Sequence, residues 1–180
     1  MERNLTHIAL FAALIAVLGL VPKIDLAAGV PITAQSLGIM LCGTVLGARR
    51  GALAVILFLV LVAAGLPLLS GGRGGLGVFA SPSAGFLIGF PVAAFVAGFV
   101  MEQTTLSPGF AATAASVIGG IGVLYIFGII GLSAMLGKTL TEASYLAMAF
   151  LPGDAAKAVL AGLVTQSLAR MRPASLLSRA

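Results

Sequence analysis

The sequence predicts an all-α integral membrane protein, a single-domain bundle of six transmembrane helices over residues 1–180, and three observations carry that prediction. The chain is 60% hydrophobic and only 8% charged, whereas soluble domains carry roughly 25% charged residues. Its mean hydropathy is +1.18. Its apolar residues fall into runs close to the ~20 residues needed to cross a bilayer core, divided by Pro, Gly and charged positions. Alternating in-and-out patterning is absent, which argues against a membrane β-barrel.

The first run, residues 5–21, ends at Pro22 with Lys23 and Asp25 beyond it. It starts as a signal peptide would, but no small-x-small cleavage site closes it and further apolar segments follow, so a retained helix is expected. The second, residues 30–46, stops before Arg49 and Arg50, and the third covers residues 51–66. Residues 68–84, LLSGGRGGLGVFASPSA, are unlike the rest; the glycines and Pro82 disfavour a continuous helix. A fourth helix is expected over residues 85–101 and a fifth over 110–136, the latter long and interrupted by Gly119, Gly120, Gly122, Gly128 and Gly131. Residues 138–150 read as a link, and the sixth helix as residues 154–170.

Ten basic residues against five acidic ones give a net charge of +5. The basic residues sit singly or in pairs between apolar runs, with no basic stripe interleaved with aromatics, which excludes a nucleic-acid partner. With six spans, Arg3, Arg49, Arg50, Arg170, Arg172 and Arg179 share one side, and Lys23, Arg73 and Lys138 the other. That excess places both termini in the cytoplasm. The Gly-rich segment and the start of the sixth helix then share the outer face.

A lone cysteine, Cys42, excludes an internal disulfide and a multi-cysteine metal site, and a lone histidine, His7, excludes multi-histidine sites. No metal is expected. Gly72, Gly74 and Gly77 match the dinucleotide fingerprint in spacing, but between membrane helices and without a βαβ frame the match carries nothing. A P-loop motif is absent, so the chain is not itself an ATPase. A nucleophile–base pair is absent too, and no catalytic residues are expected.

Asp154 and Lys157 are the most informative charges. Three residues apart, they project from nearly one helix face. An ionisable group at mid-bilayer costs about 2.5–3.5 kcal/mol on insertion scales. A helix cap for Asp154 and snorkelling for Lys157 are the structural alternatives. The functional reading is a polar solute site with an acceptor and a donor side by side. Arg73, among glycines, is placed to meet a solute carboxylate or to be a solvated loop charge. Gln35 and Tyr125 read as packed polar residues. Small residues four apart (Ala9 with Ala13, Ala12 with Ala16, Gly43 with Gly47, Gly85 with Gly89) allow close helix contact in lipid. On the first helix they fit a docking surface equally well.

Three segments, ALFAALIAVLG (residues 9–19), PITAQSLGIMLCGTVLGARRG (31–51) and GLPLLSGGRGGLGVFASPSAGFLIGF (65–90), together with PGDAAKA (152–158), resemble the BioY family, the biotin-specific S components of energy-coupling factor (ECF) transporters. The resemblance covers most of the chain in order. It implies the six-helix S-component fold and capture of biotin at the outer face of a bacterial cytoplasmic membrane. It implies contacts from Asp154 and Lys157 to the biotin rings, and docking of a transmembrane coupling (T) subunit on Ala9, Ala13 and Ala16. ATP would be used by separate ATPase subunits, with no cofactor in this chain. Relatives commonly show GPTGG where residues 81–85 read SPSAG, and an amide where Arg73 stands. The alternatives are an S component for another vitamin or a metal, a docking subunit that carries no solute, or an intramembrane enzyme, the last disfavoured by the missing nucleophile–base pair. Homo-oligomerisation stays open.

Overall fold

The computed structural model describes residues 2–25 and 29–179; the side chain of Arg3, counted above with the basic side, lies outside the described residues. Among the described residues the regular elements are all helices, joined by turns and loops that hold two isolated β-bridges. The helices are α1 (Glu2–Leu18), α2 (Gln35–Leu46), α3 (Ala48–Ala63), α4 (Ala84–Gln103), α5 (Pro108–Leu136), α6 (Leu140–Met148) and α7 (Leu151–Met171). Short 3₁₀ turns lie at Leu76–Ala80, Pro173–Ser175 and Leu177–Arg179.

Helices α2 and α4 form the middle of the bundle. α2 packs against α1, α3, α4 and α7, and all its residues except Leu37 are buried. α4 packs on α2, α3 and both halves of α5, while α7 closes the bundle against α5 and α2. A helix apolar on every side has no solvent face to present. Outward-facing Leu10, Val60, Phe99, Ile126, Ile130 and Leu163 are each at least half exposed, a surface that hydrocarbon covers and water would not. α4 and α5 are long and apolar enough to cross a membrane, and so are α6 and α7 taken as one span bent by 57°.

α2 is shorter than the apolar run around it. Pro31 disfavours helix at Val30, and Ile32 is extended, exchanging backbone hydrogen bonds with Ile24 at 2.8 and 3.1 Å. The helix therefore begins at Gln35 rather than residue 30. Its 12 residues rise about 18 Å, well short of a ~30 Å hydrocarbon core. The space above its first turn is where the cavity described below lies.

Residues 138–150, expected as a link, hold α6. The sequence carried the signal: Thr139 and Glu142 form a capping box, Thr139 Oγ1 accepting from the Glu142 N–H at 3.3 Å and Glu142 Oε2 from the Thr139 N–H at 2.9 Å. α5 runs unbroken through its glycines because Ile118–Val123 adopts π-helical geometry. Gly119 and Gly120 lie within that segment, Gly119 against Ala93 and Ala97 of α4 and Gly120 against Met40 of α2.

The small-residue pairs are packing positions. Gly85 of α4 and Gly131 of α5 meet backbone to backbone: a Cβ on Gly131 would stand 2.5 Å from the Gly85 Cα. Gly43 faces Ala94, Ala97 and Gly98 of α4. On α1 the stripe divides: Ala12 is buried, Ala16 packs against the core, and Ala9 and Ala13 are exposed.

Candidate functional site

Residues 68–84 fold back over the bundle because glycine permits turns that other residues strain. Leu69 and Arg73 pair across Ser70, Gly71 and Gly72, exchanging hydrogen bonds at 3.0 and 3.2 Å. Gly71 and Gly72 take φ of +79° and +70°, the left-handed region that side chains with a Cβ avoid. The turn is held from below by Gln35, at the head of α2. Its Nε2 donates to the carbonyls of Ile15 and Leu68, each at 3.1 Å, and its Oε1 accepts from the Ser70 N–H at 3.1 Å. One amide thus ties α1, α2 and the Gly-rich turn together. Gln35→Ala is expected to leave these groups unpaired, at about 1–3 kcal/mol. Amide exchange over residues 66–75 should quicken by roughly tenfold or more, and unchanged protection there would refute this clamp.

Arg73 leaves the turn and lines a small cavity of about 70 Å³. Val30, Ile32, Leu69, Phe86, Leu87, Phe90, Leu124 and Phe150 make most of its wall, and Asp154 and Lys157 also line it. The three site residues singled out in the sequence, distant along the chain, therefore share one cavity. Phe86 packs edge-on against Phe150, with ring centroids 5.6 Å apart, and against Tyr125 at 6.5 Å. These contacts fix the aromatic wall.

The polar group is compact. Asp154 lies in the first turn of α7, where the helix dipole favours a carboxylate, and is 6% exposed. Its Oδ1 accepts from Lys157 Nζ at 2.9 Å and from Ser36 Oγ at 3.0 Å, and its Oδ2 accepts from Tyr125 Oη at 2.9 Å. Lys157 Nζ also donates to Ser36 Oγ at 2.9 Å. Ser36, one residue past Gln35, thus closes a three-membered ring with the ion pair. A buried ion pair holds only when its geometry and extra hydrogen bonds offset desolvation. Here Ser36 and Tyr125 supply the extra bonds.

Arg73 is different. Its Nε donates to the Ser70 carbonyl and its Nη1 to Ser83 Oγ, both at 3.4 Å. Among the described residues no carboxylate pairs with it. Ser81 and Ser83 hydrogen-bond each other at 2.9 Å, so the SPSAG turn places a serine hydroxyl beside the guanidinium. The cavity is amphipathic: its lining combines a donor-and-acceptor pair on α7, aromatic and aliphatic walls, and the Arg73 guanidinium of the Gly-rich turn.

Sequence reasoning missed Ser36 and undervalued Gln35 and Tyr125. The signal was slight: two adjacent polar residues opening an otherwise apolar helix. Ala9, Ala13 and Ala16 lie on α1, away from the cavity lining.

The chain is similar to known proteins over nearly its whole length. The BioY family model matches residues 2–174. The chain is 50% identical to the biotin transporter BioY of Rhodobacter capsulatus, covering 99% of this chain and all of that one. It is 53% identical to the biotin transporter BioY of Rhizobium etli over 92% of each chain. Its structure superposes on the crystal structure of the S-component for biotin from an ECF-type ABC transporter with a TM-score of 0.89, at 33% identity, covering 94% of this chain and 92% of that one.

Proposed function

The chain belongs to the BioY family, and from that membership we propose how it works as the biotin-binding S component of an ECF-type transporter. It is a membrane transporter subunit and not an enzyme. The observation that carries the reading is one cavity lined by the bonded group Asp154, Lys157 and Ser36 and also by Arg73. Biotin has the matching set of groups. Its ureido N–H groups suit the Asp154 carboxylate, its ureido carbonyl suits the Lys157 ammonium, its fused rings suit Phe86, Phe90 and Phe150, and its carboxylate suits Arg73.

The finer points belong to the same proposal. The protein resides in the bacterial cytoplasmic membrane with both termini in the cytoplasm, so the cavity opens outward. Two groups of residues support that orientation. Lys23 lies beside the Gly-rich turn with its chain against Gly71, whereas Arg50 and Arg179 bond to the carbonyls of Leu177 and Leu106 at the other end of the bundle. The exposed face of α1 bearing Ala9 and Ala13, with Ala16 at its edge, docks a T subunit, and ATPase subunits use the ATP. No cofactor is bound by this chain.

Equilibrium binding of biotin to the purified protein tests the central claim: saturable 1:1 binding is expected, and its absence would sink it. The carboxylate assignment has its own test. Arg73→Gln should weaken biotin binding by ~1.5–3 kcal/mol, roughly ten- to a hundredfold. Binding of biotin amide, which lacks the carboxylate, should change little. An equal loss for both ligands would place the carboxylate elsewhere.

A further inference from the structure

At the end of the bundle remote from the biotin cavity lies a second, larger recess, and we infer that it holds the headgroup of an anionic phospholipid. It spans about 550 Å³, open to its surroundings, between the start of α3 and the end of α4. Its polar rim is Arg49, Arg50 and Glu102, and its apolar wall includes Phe95 and Phe99.

The charges at the rim do not cancel. Glu102 Oε1 accepts from the Ala48 N–H at 2.8 Å, and among the described residues neither arginine pairs with a carboxylate. Arg50 donates to the Leu177 carbonyl at 3.3 Å, leaving further N–H groups, and Arg49 is exposed. Among the described residues that line it, two cations stand against one anion, a net positive rim. Both arginines also stand in the first turn of α3, where the helix dipole adds to their charge instead of offsetting it. A guanidinium pair suits the oxygens of a phosphate.

The wall identifies the source of that phosphate. Phe95 and Phe99 lie four residues apart on one face of α4, 43% and 50% exposed, and lead from the rim toward the middle of the bundle's outer surface. A soluble phosphate has nothing to place there, whereas acyl chains do. Basic recesses between transmembrane helices recognise anionic headgroups in this way. The occupant is therefore a lipid of the leaflet at that end, and the inference holds whichever leaflet that is.

Native mass spectrometry of the full chain, titrated in detergent with dioleoylphosphatidylglycerol or dioleoylphosphatidylcholine, tests it. Phosphatidylglycerol should be retained on the order of tenfold more tightly. Arg49→Gln with Arg50→Gln should erase that preference while biotin affinity stays unchanged, the glutamine keeping a donor for the Leu177 carbonyl. Arg49→Gln alone, at an exposed side chain, should weaken the preference and serves if the double variant does not fold. Equal retention of the two lipids by the unsubstituted protein would overturn the inference. So would a preference that survives these substitutions, or full displacement of phosphatidylglycerol by millimolar inorganic phosphate.

Discussion

Asp154→Asn should lower biotin affinity by about a hundredfold or more, the largest loss expected from a single change in the cavity. The carboxylate accepts from Lys157, Ser36 and Tyr125 at 2.9–3.0 Å. The amide keeps one acceptor oxygen, brings two unwanted donors toward groups that already donate, and removes the charge that balances Lys157. Breaking a buried pair by deleting one partner costs about 3–5 kcal/mol. Part of that cost appears as lower stability and part as lost binding, because a ureido N–H then meets a neutral acceptor. Isothermal titration with biotin reads the binding share and a melting curve in detergent reads the rest. Lys157→Met with Asp154→Asn separates them further: removing both charges should recover stability but not affinity. If Asp154→Asn binds biotin as tightly as the unsubstituted protein, Asp154 is a structural residue of the α7 helix start and not a ligand contact.

Gly131→Val should prevent the bundle from closing. The first carbon of any side chain there would stand 2.5 Å from the Gly85 Cα and 2.6 Å from its nitrogen. Both contacts are backbone, so no rotamer change relieves them, and α4 must separate from α5. α4 packs on α2, α3 and α5, so the separation propagates across the bundle. Overpacking of this kind typically costs 1–3 kcal/mol and more where nothing can yield. A loss above about 4 kcal/mol is expected here, read as disappearance of the monodisperse peak in size-exclusion chromatography. Gly77→Ala is the matched control. With nothing within 4 Å of the added carbon, its yield and melting temperature should match those of the unsubstituted protein. Equal behaviour of the two variants would show that the α4–α5 crossing tolerates separation.

The sequence announced whatever is costly in lipid and was silent on what is cheap. Asp154, Lys157 and Arg73 stood out because a charge in an apolar setting needs a reason, and the structure gathers all three around one cavity. Ser36 left no such trace, since a hydroxyl passes without penalty in a helix that has backbone carbonyls to bond. Hydropathy marked the apolar runs but not their conformation. Val30 to Ala34 is nearly as apolar as a helix start, yet Pro31 and the Ile24–Ile32 pairing hold Ile32 extended and delay the helix to Gln35. α6 is the opposite case: its low hydropathy suggested a link, while Thr139 and Glu142 spelled a helix start. The identity of the ligand lay outside physical reading of single residues. It came from the resemblance of whole segments, later matched by relatives of 50% and 53% identity.

The π-helical segment at Ile118–Val123 also sets the angular phase of α5. Before it, α5 packs on α7, with the Gly109 N–H donating to Gln166 Oε1 at 2.7 Å. After it, Gly131 meets Gly85 and Tyr125 reaches Asp154. A π turn holds about one residue more than an α turn, and one residue corresponds to a rotation of about 100°. Wound as a plain α-helix, the same sequence would present its first half to α7 and turn its second half a quarter-circle away from α4. The extra residue works like a single added tooth between two gears: it lets both halves of one helix mesh with the helices around it and brings a tyrosine to bear on a carboxylate of α7.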